Sequence, residues 1–221
     1  DGTMVLLKRS PVIAIRGPRA DDNHLVLYRT AGTPGDVSDD SYAIIKDVID
    51  QDGNRIDVQG ISTIAETPSG GLFVSCWGTN FIIPSPATFN PSTNAVKRLK
   101  VARNDGSGTA DYLMNGEVIS DVQFDTAGRM WLATEGSGIT VVSAAFDEIE
   151  ETYNKDNSPL PTNNISALAI SPISNRVYAG SRYGLSEFAS DQSPEQDSYS
   201  DVRAYPNPVR PDYRGLITID G

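Results

Sequence analysis

The chain has 221 residues, 38% hydrophobic and 21% charged, which suffices for one sizeable core and excludes global disorder. A net charge of −11, with the 18 Lys and Arg scattered, excludes the basic face that a nucleic-acid binder needs. No window of about 18 apolar residues exists, so no segment reads as a membrane span.

The first residues, DGTMVLLKRSPVIAIRG, carry neither the apolar region nor the cleavage site of a signal peptide and read as the interior of a larger protein. PVIAI and HLVLYRT, between residues 11 and 30, read as two strands around the loop GPRADDN. His24 is the single histidine and Cys76 the single cysteine. That leaves no internal disulfide or cysteine-based metal cage, and it argues against a Ser-His-Asp triad or a zinc site. Cys76 reads as a small buried strand residue.

Residues 50–57, DQDGNRID, place Asp50, Asp52 and Asn54 at the spacing by which calcium loops present oxygens. Position 12 of such a loop is Ile61 rather than the bidentate Glu. The segment reads as a polar hairpin turning at Asp52-Gly53, with no metal assigned. NAVKRLKVA (94–102) reads as an outer strand, and residues 102–116 as a turn-rich loop. AAFDEIEET (144–152) is the nearest approach to a helix and reads as a single turn. SPLPTNN (158–164) is another loop. Residues 189–200 are polar and acidic and read as a linker. Beyond them three prolines within six residues exclude a central strand, and LITID after Gly215 reads as the first strand of another β module.

Three segments repeat. ISTIAETPSGGLFVSCWGT, ISDVQFDTAGRMWLATEGSG and ISALAISPISNRVYAGSRYG start at residues 61, 119 and 165, so 58 and 46 residues apart. Each begins Ile-Ser, alternates apolar and polar, turns, and starts a second strand with an aromatic: Phe73, Trp131 or Tyr178. A small-residue pair, a glycine turn and a third apolar strand follow. The spacing matches a β-propeller blade, whose two apolar faces are buried by stacking on neighbours, with the aromatic filling the wedge. The fold class is therefore all-β: a partial β-propeller of three to four blades over 1–188, a linker over 189–203, and the beginning of a further β module over 204–221.

These copies resemble the two-component regulator propeller repeat. Residues 119–138 match its consensus best, with Asp125, Gly128, Trp131 and Thr134 in place. The copy at residue 61 departs around Cys76-Trp77, and the copy at residue 165 has Tyr178 for the Trp and Gly180-Ser181 for the Gly-Thr. Four further segments, DQDGNRID, NDGSGTADYLMNG, NSPLPTNNIS and AYPNPVRPDYRGLITI, together resemble the PorZ-type propeller family of the type IX secretion system. There the YPNPV element resembles the opening of a sorting-type C-terminal domain, which implies that residues 204–221 begin a C-terminal β-sandwich. The resemblance implies a non-enzymatic protein of the periplasm or outer-membrane surface in a Bacteroidetes-type envelope. It implies a role in cargo attachment through a lipopolysaccharide glycan or other surface polysaccharide, with other secretion-system proteins as partners. The alternative is the periplasmic sensor region of a hybrid two-component histidine kinase that senses an oligosaccharide.

Ligand contact on a propeller comes from rim loops held on a rigid scaffold. The expected residues follow the small-residue pairs: Trp77, Asn80, Glu135, Arg182 and Tyr183. Trp and Tyr offer stacking faces to sugars, and Arg holds phosphate or carboxylate. No catalytic residue and no cofactor are expected: Asp147, Glu148, Glu150 and Glu151 form one local acidic run, and neither Ser75 nor Ser181 has a base near it in sequence. An incomplete propeller leaves unpaired borders, which implies either a homo-oligomer or further neighbouring blades.

Overall fold

In the computed structural model the described residues are 4–5, 12–16, 24–30, 33, 36–103, 105–172, 174, 176–189, 203–205 and 218–220, the first two and last two segments by backbone alone. The loop GPRADDN, most of the acidic linker and the YPNPV element beyond Tyr205 lie outside them. Every regular element among the described residues is a β-strand.

Strands β1 (Met4–Val5), β2 (Val12–Arg16), β3 (Leu25–Arg29) and β4 (Ser41–Ile45) form an antiparallel meander. A short hairpin follows, β5 (Asp47–Ile49) with β6 (Arg55–Asp57). The second meander is β7 (Thr63–Glu66), β8 (Leu72–Cys76) and β9 (Thr79–Ile83). Its outer position is filled by a bridge from Lys97 to Ile82, whose backbone groups exchange hydrogen bonds at 2.8 and 2.9 Å. The outer strand expected over 94–102 is thus split between this bridge and β10 (Lys100–Ala102), which pairs with β11 (Ala110–Tyr112).

The third meander is β12 (Ile119–Phe124), β13 (Met130–Thr134), β14 (Ile139–Val142) and β15 (Ile149–Tyr153). The fourth is β16 (Ala167–Ile170), β17 (Arg176–Ser181) and β18 (Gly184–Ala189). A separate pair, β19 (Arg203–Tyr205) with β20 (Thr218–Asp220), stands after the linker. The single helical turn expected over 144–152 is instead a tight turn followed by β15. Phe146 holds the left-handed φ of 61°, and Ile149 begins the strand.

The sheets stack face to face, and three apolar cores fill the three interfaces. Leu25, Leu27 and Ile45 of the first sheet meet Leu72, Val74 and Cys76 of the second. Phe73 and Ile82, on the second sheet's other face, meet Val122, Met130 and Leu132 of the third. Trp131 and Val141, on the third sheet's other face, meet Leu168, Val177 and Phe188 of the fourth. This explains why β8 and β13 are rich in apolar residues without alternating. Each is an inner strand of a sheet covered on both faces, so alternate residues face opposite neighbours and all five are buried.

The wedge role expected of the strand-borne aromatic holds for Phe73 and Trp131, whereas Tyr178 is half-buried on the face of the fourth sheet opposite to Val177 and Ala179 and belongs to none of the three cores. Trp131 is 1% exposed, lies parallel to the Tyr153 ring at 5.9 Å, and Tyr153 in turn meets Phe188 at 5.4 Å. Burying an aromatic of this size contributes about 3 kcal/mol. The connecting segments seal the same interfaces with Val48 and Val58, with Leu99 and Leu113, and with Leu160 and Ile165. At the two ends of the stack apolar side chains face outward: Tyr42 and Ile44 on β4, and Leu185 on β18.

Candidate functional site

The turns between the second and third strands of the last three sheets emerge at one rim. They are Trp77-Gly78, residues 135–138 and Arg182-Tyr183. Backbone hydrogen bonds fix them there. The Trp77 N–H donates to Gln59 O at 3.4 Å, and the Gly116 N–H donates back to Gly78 O at 2.8 Å. The Glu135 N–H donates to Val118 O at 3.1 Å, and the Gly138 N–H to Asn163 O at 2.9 Å. Each of these two turns is therefore clipped both to the segment entering its own sheet and to the segment entering the next one. Gly138 is obligatory, because its φ is +85° and a Cβ there would stand 2.1 Å from Tyr153 O. Such clipping makes the rim a fixed frame from which side chains project.

Four of the five expected residues project from that frame. Trp77 is 78% exposed and Tyr183 59%, and Glu135 and Arg182 are exposed as well. The Arg182 guanidinium lies over the Tyr183 ring at 4.5 Å and touches its hydroxyl. The fifth, Asn80, is corrected by the structure. It is 3% exposed, and its Nδ2 donates to Leu113 O at 2.8 Å, across to the segment that enters the third sheet. Asn80 pairs with Ser75 in the sheet and so faces the interface rather than the rim.

Trp77 and Glu135 come together. They line one cleft of about 350 Å³ between the second and third sheets, with Gly60, Ser62, Val118 and Ser120. On the opposite rim a second cleft, about 460 Å³, is lined by the 66–70 turn and Phe124, a surface that the repeat pattern alone did not single out.

The remaining polar groups are tied into the scaffold. Asp50 accepts the Asp52 and Asn54 N–H groups on one oxygen, at 2.9 and 2.8 Å, and Asn54 Nδ2 on the other at 3.1 Å. Burial works against its ionisation, but these donors outweigh it and hold the carboxyl below its usual range. Asp52 is paired with Lys100 at 2.8 Å and accepts the Tyr112 hydroxyl at 2.7 Å, and these partners lower its pKa too. The segment is the polar hairpin, with Gly53 at φ +84° in its turn, and the Asp50 oxygens already serve that turn.

Cys76 is 1% exposed, and burial pushes its thiol up to about 12. His24 faces the chain, with Nδ1 3.4 Å from Val58 O. Within the acidic run, Glu150 lies 3.5 Å from Arg129, Asp147 accepts the Ser143 hydroxyl, and Glu151 accepts the Tyr153 hydroxyl. Ser75 is fully buried, and Ser181 donates to Gly184 O. Neither serine faces a base among the contacts described.

Meander sheets stacked through strand-borne aromatics, with clipped turns at one rim, define the class: a β-propeller domain. No family model matches the chain, and no curated protein matches it. Solved structures do. The chain is similar to PorZ, described as an essential bacterial surface component of the type IX secretion system of Porphyromonas gingivalis. The identity is 25% and the TM-score 0.72 over 99% of this chain, which spans 30% of that one. Two structures of the extracellular domain of one B. thetaiotaomicron protein also match. One describes it as a one-component system and the other as a hybrid two-component system. They cover 81% of this chain and 22% of theirs, at 17% and 19% identity with TM-scores of 0.51 and 0.50, and they share the fold. The propeller resemblance read from the repeats, and the PorZ-type resemblance read from the four further segments, are borne out, and the matched domains are surface or extracellular ones.

Proposed function

We propose that this chain is a non-enzymatic binding module of a bacterial envelope, in a type IX secretion system, which assists cargo attachment by holding a surface glycan. The carrying observation is the rim: successive turns of a rigid stack project Trp77, Glu135, Arg182 and Tyr183 into solvent. Exposing Trp and Tyr to water has a free-energy cost that binding would recover, and both present faces on which sugar rings stack. The similarity to PorZ along 99% of the chain supports the secretion setting. Partner proteins of the same machinery are the second expected occupant of this surface.

The test is binding of the purified protein to immobilised lipopolysaccharide, wild type against Trp77→Ala with Tyr183→Ala. Loss of two exposed aromatic anchors should weaken binding about tenfold or more. Unchanged affinity in a folded double variant would sink the reading. A sensor region of a two-component system is the second reading, supported by the two B. thetaiotaomicron domains through fold alone. It predicts oligosaccharide binding without a link to secreted cargo.

A further inference from the structure

The cleft shared by Trp77 and Glu135 has a definite chemistry. Its two hydroxyls are already engaged: Ser62 Oγ donates to Ser75 O at 3.4 Å, and Ser120 Oγ donates to Ile165 O. Among the described residues no partner is recorded for the Glu135 carboxylate or for the Trp77 indole N–H. Asp121 differs in this respect, since its carboxylate accepts the Leu168 N–H at 2.7 Å across the next interface. Among the described residues no Lys, Arg or His lines the cleft. The Trp77 ring lies against Gly60, with three of its atoms 2.7 Å from the position that a Cβ on residue 60 would take.

The cleft therefore offers an apolar ring face, a free indole donor, a free carboxylate and no positive group. A ligand complementary to it brings an apolar C–H face and a positive charge close together. We propose that the Trp77–Glu135 cleft is the subsite for a sugar residue bearing a protonated amine; this rests on the glycan-binding reading above. The pyranose C–H face stacks on Trp77, and the ammonium pairs with Glu135 in a charge-assisted hydrogen bond. A uronate or phosphorylated sugar placed there meets the Glu135 charge and the field of a chain of net charge −11.

Intrinsic fluorescence can read this subsite directly. The chain has two tryptophans, and Trp131 is 1% exposed, so a ligand-induced change in emission reports Trp77. The probes are oligomers of glucosamine, of N-acetylglucosamine and of galacturonic acid, titrated at low salt and slightly acid pH. The glucosamine oligomer should bind about tenfold tighter than its acetylated counterpart, with the uronate weakest. Glu135→Gln, an exposed position, should collapse that difference, and Trp77→Ala, which lacks the reporter and is therefore followed by titration calorimetry, should lose the binding of all three oligomers.

Equal affinity for the amino and acetylated oligomers, or a preference that survives in Glu135→Gln, overturns the subsite. So does an oligolysine that moves the Trp77 emission while the glucosamine oligomer does not, since the ligand is then a peptide. If lipopolysaccharide still binds, only the subsite has failed. If no glycan binds at all, the parent reading has failed as well.

Discussion

The pyrrole ring of Trp77 occupies the space in which a side chain on residue 60 would begin: Cγ, Cδ1 and Nε1 each lie 2.7 Å from that Cβ position. Gly60 also holds a φ of +59°, where any L side chain is strained. Gly60→Ala should therefore push the indole off its seat and add backbone strain of about 1 kcal/mol, lowering Tm by a few degrees. The measurement is glycan binding alongside a thermal melt. Weakened binding in a protein that still unfolds cooperatively is expected; unchanged binding would show that the seat of Trp77 does not matter.

Asn80 separates packing from recognition. Replacing it with Ala leaves the Leu113 carbonyl without its 2.8 Å donor inside an interface. A loss of about 1–3 kcal/mol in urea unfolding is expected, with glycan affinity at the rim unaltered. A drop in affinity at constant stability would return Asn80 to the site.

Asp125 and Trp131 tie the third sheet's turn to its wedge residue. One carboxylate oxygen accepts the indole N–H at 3.0 Å and Arg129 Nε at 2.8 Å, while the other takes the Ala127 and Arg129 N–H groups. The Asp125 and Arg129 side chains are each 5% exposed. Asp125→Ala takes the nearer carboxylate from the buried Arg129 guanidinium, leaving Glu150 at 3.5 Å, and removes the acceptor of the indole N–H, and should destabilise by about 3 kcal/mol. Calorimetry showing a shift of only a degree or two would refute that estimate.

Acid should loosen the hairpin between the first and second sheets. Asp50 and Asp52 both have folded-state pKa values below the ordinary 3.8. A lowered value means that their contribution is complete above the unfolded value and fades as pH falls through the folded one. Melting temperature should hold level through mild acidity and fall below about pH 4. Asp50→Asn should flatten that fall, and an identical acid profile in the variant would remove Asp50 from the account.

Cys76 should be silent in the native state. Its thiol lies between the first two sheets, and burial raises its pKa to about 12. A thiol reagent should label it only after denaturant is added. Rapid labelling of the folded protein would mean that this interface opens readily.

Trp77 and Asn80 are three residues apart and equally polar in outlook on paper, yet one is 78% exposed and the other 3%. Asn80 is covered by the Leu113 segment, 33 residues further on, and nothing in the local pattern announces that contact. The tight turn at Phe146 was hidden in the same way. The acidic run masked the alternation of Ile149 and Tyr153 that makes β15 a strand. The meeting of Trp77 with Glu135 joins positions 58 residues apart, which occupy equivalent places in two copies of the repeat.

By itself the sequence determined the repeating unit, the wedge positions of Phe73 and Trp131, and the turn from which each rim residue hangs. Those features are encoded within about 20 residues, by alternation of period two and by the turn chemistry of Gly, Asp and Pro. Only the tertiary structure decided which rim side chains reach water, which are sealed by the next sheet, and which two share a cleft. Those outcomes depend on how neighbouring sheets approach, and that approach is set by non-local burial of both faces of inner strands such as β8 and β13.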